Sequence, residues 1–209
     1  MSTLVAVDAV EKHWDATSGL RALTLEVREH ELVVVRGRSG TGKSTLLSIL
    51  AGWCEPDRGA VIWGPPFEGC DVTAWDQVAV VPQVLALMGE LSARENVEIA
   101  LRGCGIAGAA ATDRANEVLE SLLLTELAGR PPGETSLGQR QRTALARAIV
   151  VEPKLLLADE PTSHQDAKSA RRVVEVLRLR AEVGGGVLVA THEEMLVAAA
   201  DRVVTLDDD

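Results

Sequence analysis

The hydrophobic and polar positions of this chain follow two different periods, and the switches between them divide it into elements. Leu4 to Val10 and Ala22 to Val27 read as short strands, the second with Leu23, Leu25 and Val27 set against Thr24 and Glu26. Glu31 to Arg36 is a buried strand, followed by a helix from Ser44 to Ala51. Gly52 to Gly59 is a turn, Ala60 to Trp63 a further strand, and Pro65-Pro66 a break before the short strand Val78 to Val81. The pattern then changes. Ser92 and Glu95 form a capping box that opens a helix through Leu101. A Gly/Ala-rich connector, Gly103 to Ala111, leads to a second helix with Ala115, Val118, Leu119 and Leu122 on one face. No strand is expected between residues 84 and 134. Strand and helix then alternate again: a helix from Thr143 to Val151, a strand from Leu155 to Asp159 and a long helix with Ala170, Val173, Val174, Leu177 and Ala181 at helical spacing. Gly184 to Gly186 stop that helix, and Val187 to Ala190, Glu194 to Ala200 and Arg202 to Leu206 give strand, helix and strand.

This order predicts an α/β domain spanning 1–209, with a core from 1–83 and 135–209 and an inserted helical subdomain over about 84–134.

The first chemistry lies between a strand and a helix. Gly37-Arg38-Ser39-Gly40-Thr41-Gly42-Lys43-Ser44-Thr45 fits the phosphate-binding loop of a P-loop NTPase. Its glycines let backbone N–H groups curl around phosphate oxygens, and the helix that follows points its positive end at the same anion. Lys43 would reach the terminal phosphates and the Ser44 hydroxyl would ligate magnesium. A Gly-rich turn with an incidental lysine is the competing reading.

Bulk properties narrow the partners. The chain has 209 residues, 46% hydrophobic and 25% charged, long enough for a real core. Its 31 acidic against 21 basic residues, net −10, argue against a nucleic-acid binder and against a basic membrane-facing surface. Asp8 comes too early for a secretory signal and no apolar run is long enough to span a bilayer, so direct membrane insertion is not expected. Cys54, Cys70 and Cys104 lack metal-ligand spacing and read as reduced thiols in a cytosolic protein. Asp207 to Asp209 read as a solvated end.

Further candidates stand at element ends. Trp14, in a polar connector upstream of the loop, suits either stacking on an adenine or covering a sheet edge. Gln83 can offer its amide oxygen to magnesium or to an attacking water, or be an ordinary loop residue. Ser136 and Gly138 sit where a helix begins and could meet an anion. Asp159, at the end of an apolar strand, is held rigidly enough to bind magnesium, and Glu160 one residue on can polarise a water for attack on a γ-phosphate. His192 ends another core strand within reach of such a phosphate.

Taken in order, these features resemble the ATP-binding subunit of an ABC transporter over essentially the whole length. Trp14 matches the aromatic A-loop residue, Gly37 to Thr45 Walker A, Gln83 the Q-loop and Thr135-Ser136-Leu137-Gly138-Gln139 the family signature. Asp159 and Glu160 match Walker B, Ser163 to Asp166 the D-loop and His192 the H-loop. The phrases around them look like those of lipoprotein-releasing and macrolide-type exporters. The resemblance implies an antiparallel β subdomain beside the P-loop core, and ATP and Mg2+ as ligands. It implies nucleotide contacts from Trp14, Ser39, Gly40, Thr41, Thr45, Ser136, Gly138, Gln139 and Asp166, and magnesium contacts from Ser44, Gln83 and Asp159. Catalysis would fall to Glu160, His192 and Gln83. Two ATP-binding subunits, as a homodimer or a heterodimer, would close head to tail around ATP, cytoplasmic and peripheral on the membrane through a separate permease held by the helical insertion. Competing implications are a regulator that signals through a membrane partner, a soluble ABC ATPase and a small phosphotransferase.

The sequence departs from the family in the signature, in the D-loop and before Glu31, and in the signature Thr135 replaces the usual leucine. Leu137 replaces a glycine of the signature, where its bulk and its lack of glycine-only torsions are expected to weaken the site offered to the second subunit. The D-loop reads Ser-His-Gln-Asp, and His30 stands where a glycine is usual.

Overall fold

The computed structural model describes residues 1–15, 18–68, 72 and 74–206. Cys70 and the closing Asp207 to Asp209 lie outside them. β1 (Thr3–His13), β2 (Gly19–Arg28) and β4 (Arg58–Trp63) form an antiparallel sheet in the order β2-β1-β4. The second sheet is parallel and five-stranded. It contains β3 (Leu32–Gly37), β5 (Val78–Val81), β6 (Leu155–Asp159), β7 (Gly186–Ala190) and β8 (Arg202–Leu206), in the order β5-β6-β7-β3-β8. β1 and β2 run longer than the sequence pattern indicates, because their pairing continues through polar positions as far as His13 opposite Gly19.

β6 and β7 are buried along their whole length, which is why they read as apolar runs without alternation. Their side chains divide between two cores. On one face of the parallel sheet Leu32, Val34, Leu156, Ala158, Val187 and Val189 pack against helices α2 (Ala93–Gly103), α3 (Ala109–Ser121), α4 (Leu137–Ile149) and α5 (Ala167–Glu182). On the other face Val33, Val35, Leu155, Leu157, Leu188 and Ala190 meet α1 (Lys43–Leu50) and the inner face of the antiparallel sheet. The period of two along β3 thus serves two cores at once. α6 (Glu194–Ala199) packs beside α5 through Leu196.

Between β5 and α4 the described residues form helices and loops. The capping box at Ser92 forms as expected, with Glu95 bonded to both the Ser92 backbone N–H and hydroxyl. Three helix boundaries differ from the sequence reading. α2 reaches Gly103 and α3 already starts at Ala109, so the connector between them is short. α4 begins at Leu137 instead of Thr143: Ser136 caps it, its hydroxyl accepting from the Gln139 N–H while the Gln139 side chain accepts from the Ser136 N–H. The polar run Gln139 to Arg142 conceals this first turn, yet Gln141 and Arg142 are buried.

His30 adopts φ 61°, the left-handed conformation that suits glycine. It is held there by its N–H to the Gly185 carbonyl at 3.0 Å and by a ring contact with the Glu182 carbonyl at 3.1 Å. Among the described residues no helix is long and apolar enough to cross a membrane.

Candidate nucleotide site

All strands of the second sheet are parallel, so their C-terminal ends fall along one edge, where open α/β sheets hold their ligands. The register makes this concrete. Val35 pairs with Ala190, Asp159 with Ala190 and Val81 with Ala158, so Gly37, Thr191, Glu160 and Gln83 all lie just beyond the same edge. A cleft of about 1560 Å³ opens there, lined by Trp14, Gly37 to Gly40, Gly42 to Thr45, Gln83, Asp159, Glu160, Ser163, His164 and His192.

The loop after β3 is built by two kinds of constraint. Gly40 and Gly42 have φ near +92° and +95°, which residues with side chains rarely adopt. A side-chain carbon at Gly42 would also stand 2.5 Å from the Gly19 carbonyl. Gly42 is the residue from which α1 starts, so the first N–H groups of α1 face the cleft. Lys43 arches back over the loop, its ammonium donating to the carbonyls of Gly37 at 2.7 Å and Arg38 at 2.9 Å. Its neighbour Ser44 donates to Asp159 Oδ2 at 2.6 Å. Burial pushes the Asp159 carboxyl up, the Ser44 hydroxyl and Lys43 pull it back, and Glu160 adds to the rise. Thr41 turns its hydroxyl inward to the Arg38 carbonyl at 2.9 Å and does not line the cleft. Trp14, 58% exposed, anchors its indole N–H on Thr45 Oγ1 at 3.0 Å, with Lys12 Nζ 5.2 Å from the ring.

Opposite the loop stands an acid held from two sides. Glu160 Oε2 accepts from the Thr191 hydroxyl at 2.7 Å and Oε1 meets His192 Nδ1 at 2.9 Å. Thr191 is fully buried and its oxygen also accepts from the Glu193 N–H at 3.1 Å, so the hydroxyl proton is left to point at Glu160. The contact with Glu160 raises the His192 pKa above the ordinary histidine value.

Ser136, Gly138, Gln139 and Asp166 stand away from this cleft. Ser136 and Leu137 are exposed at the first turn of α4, and Gly138 is packed under His164. Asp166 is committed to capping α5, accepting from the Ser169 N–H at 2.9 Å and the Ser169 hydroxyl at 2.8 Å, and these bonds lower its pKa. Leu137 is 42% exposed and has no left-handed φ, so the position makes no demand for glycine torsions. The torsional part of the expectation for Leu137 therefore does not hold. Gln83 is exposed on the rim. Thr191 and Gln141, which both bond to Glu160, have no role in the sequence reading. The signal for both was polarity on an otherwise buried element.

The family model for ABC transporters matches residues 20–163, from β2 to the segment after Glu160. The chain belongs to the ABC transporter ATP-binding family. The lipoprotein-releasing system ATP-binding protein LolD of Gluconobacter oxydans is 41% identical over 197 residues, covering 90% of this chain and 85% of that protein. The taurine import ATP-binding protein TauB of Pseudomonas aeruginosa is 45% identical over 189 residues, 88% of this chain and 70% of its own length. An uncharacterized ABC transporter ATP-binding protein of Mycobacterium tuberculosis is 39% identical over 201 residues, 91% of this chain. The chain spans 60% of the length of that mycobacterial relative. The solved dimeric post-hydrolysis state of the ATP-binding cassette MJ0796, bound to ADP and Pi, superposes with a TM-score of 0.87 at 30% identity, covering 98% of this chain and 95% of that one. The ABC cassette fold, with its parallel P-loop core and antiparallel sheet, is thus established for the chain, and the cleft at the parallel sheet edge is its candidate nucleotide site.

Proposed function

We propose that this ABC cassette binds and hydrolyses ATP and that the resulting cycle of closure and opening drives a separate membrane permease. The observation that carries the reading is the placement of Glu160. It is fixed by Thr191 and His192 on the side of the cleft facing Lys43 and the Ser44–Asp159 pair. A carboxylate so held can accept a proton from a water beside the γ-phosphate, with His192 steadying the same group. Lys43 exchanges the carbonyls of Gly37 and Arg38 for terminal phosphate oxygens, and Trp14 stacks on the base.

The residues present also fit Mg2+. Ser44 Oγ and Asp159 Oδ2 lie 2.6 Å apart, Gln83 adds an amide oxygen at the rim, and oxygen donors suit this hard cation. No group of three or more His, Cys, Asp or Glu among the described residues could hold a metal alone, which accords with an ion shared with substrate phosphates. When bound, such an ion neutralises charge on the β- and γ-phosphates.

One chain leaves the far side of the nucleotide uncovered, and Ser136, Gly138 and Gln139 do not line its own cleft. A second copy placed head to tail brings its exposed first turn of α4 over the γ-phosphate, with N–H groups of Leu137 and Gly138 directed at the anion. The dimeric MJ0796 structure and the transport names of the relatives support this assembly. The helical segment over about 84–134 would receive the permease, which places the cassette at the inner face of the membrane. Wild-type chain with Mg-ATP should release phosphate, whereas Glu160→Gln should bind ATP and release none. Equal turnover by the two would remove the reading.

A further inference from the structure

Three residues on one face of α4, Gly138, Gln141 and Arg142, touch the segment that carries Glu160. The Gln141 side chain is 5% exposed, and its amide nitrogen donates to the backbone carbonyl of Glu160 and to Ser163 Oγ, the latter at 3.0 Å. Gly138 lies under the His164 carbonyl, and Arg142 Nη1 donates to Gln165 Oε1 at 3.4 Å. The spacing i, i+3, i+4 makes this one continuous helix face.

Glu160 needs such a hold. Its φ of 46° is left-handed, unfavourable for a residue with a side chain and kept only where the surroundings over-determine it. Its N–H donates to the Ala190 carbonyl at 2.8 Å, and its carboxylate is bonded to Thr191 and His192; these constraints all come from β7 and the two residues after it. Its carbonyl is fixed by the Ser163 N–H at 3.2 Å and by Gln141. Gln141 is the contact that ties this strained residue to the helix whose first turn is Ser136, Leu137 and Gly138.

We propose that Gln141 is a positioning residue for Glu160: through the Glu160 carbonyl it sets the direction of the carboxylate and joins it to the signature end of α4. The proposal rests on the reading of Glu160 as the base. In a head-to-tail pair the first turn of α4 serves one nucleotide and Glu160 the other, so the Gln141 amide links the two sites within one chain. Its removal should leave nucleotide affinity and the assembled pair intact while misdirecting the base.

The test compares wild type with Gln141→Glu, which keeps the shape and turns an acceptor toward the Glu160 carbonyl, and with Gln141→Leu, which removes both polar ends. Steady-state kinetics with Mg-ATP should show kcat lowered at least about tenfold in both, with KM within about twofold of wild type, the pattern of a displaced catalytic group. ATP-dependent dimerisation in the Glu160→Gln background should survive the added Gln141→Leu change. Thermal unfolding reports whether each variant is folded. Unchanged kcat in both variants would overturn the proposal. So would a joint loss of nucleotide binding, dimerisation and folding, which marks Gln141 as packing alone. Wild type that hydrolyses no ATP would overturn the reading of Glu160 as well, which separates that failure from a failure of Gln141 alone.

Discussion

A side-chain carbon on Gly138 would stand 2.6 Å from the carbonyl oxygen of His164. The obstacle is backbone, so it cannot swing aside as a flexible side chain would, and α4 or the 163–166 turn must move. Gly138→Ala should destabilise the fold by about 1–3 kcal/mol and lower turnover. Leu137→Gly is the informative contrast. Leu137 is exposed at an ordinary helical position, so this change should cost about 0.5–1 kcal/mol of helix stability, while removing the bulk expected to weaken the second subunit's site should raise turnover. Thermal melts beside phosphate-release assays check both, and a Leu137→Gly variant that is no faster than wild type would mean that the leucine does not obstruct the approach to phosphate.

Lys43 donates to two loop carbonyls and, among the described residues, has no carboxylate as a hydrogen-bond partner, so its charge remains available to phosphate. Lys43→Ala should abolish turnover and weaken nucleotide binding with little loss of fold stability. Isothermal titration with ATP, beside a melt without nucleotide, separates the two effects. Undiminished turnover would contradict the site.

Trp14 offers a half-exposed indole pinned by Thr45. Base stacking on an aromatic is worth about 1–3 kcal/mol, so Trp14→Ala should weaken ATP binding by about five-fold or more, whereas Trp14→Tyr should retain most of the affinity. If both bind like wild type, the ring serves only the sheet edge.

The His192–Glu160 contact gives a pH signature. The hydrogen bond and charge of Glu160 raise the His192 pKa, Glu193 adds to the rise, and Lys43 opposes it. A raised folded pKa means that the contact's stability is fully present below the ordinary histidine value and is lost as pH rises through the raised one. Glu160→Gln removes the charge, so the His192 resonance followed by NMR should titrate at a lower pH in that variant. No movement would mean that the two side chains do not interact in solution.

Much of this was legible in the sequence because the relevant features are local. The phosphate loop declares itself through Gly40, Gly42 and Lys43 within a few positions, and β6 and β7 through apolar runs that end at Asp159 and Thr191. What escaped is contact between distant elements. Gln141 is 19 positions from Glu160 and Thr191 is 31 positions away, and only the parallel order β6-β7, with α4 laid beside it, brings the three together. The start of α4 was concealed for a related reason. Gln141 and Arg142 are polar residues buried on its core face, which masks the amphipathic period that would mark its first turns. Leu137 shows the converse: an odd residue in a glycine-rich motif reads as a torsional fault until the backbone proves helical.

The most direct test is sedimentation of Glu160→Gln with and without Mg-ATP, run beside steady-state hydrolysis by the wild type. An ATP-dependent species of two chains in the variant, together with turnover in the wild type alone, is the expected result. A variant that binds ATP yet stays monomeric, or that hydrolyses it at the wild-type rate, would contradict the account of Glu160 as the base of a site completed by a second copy.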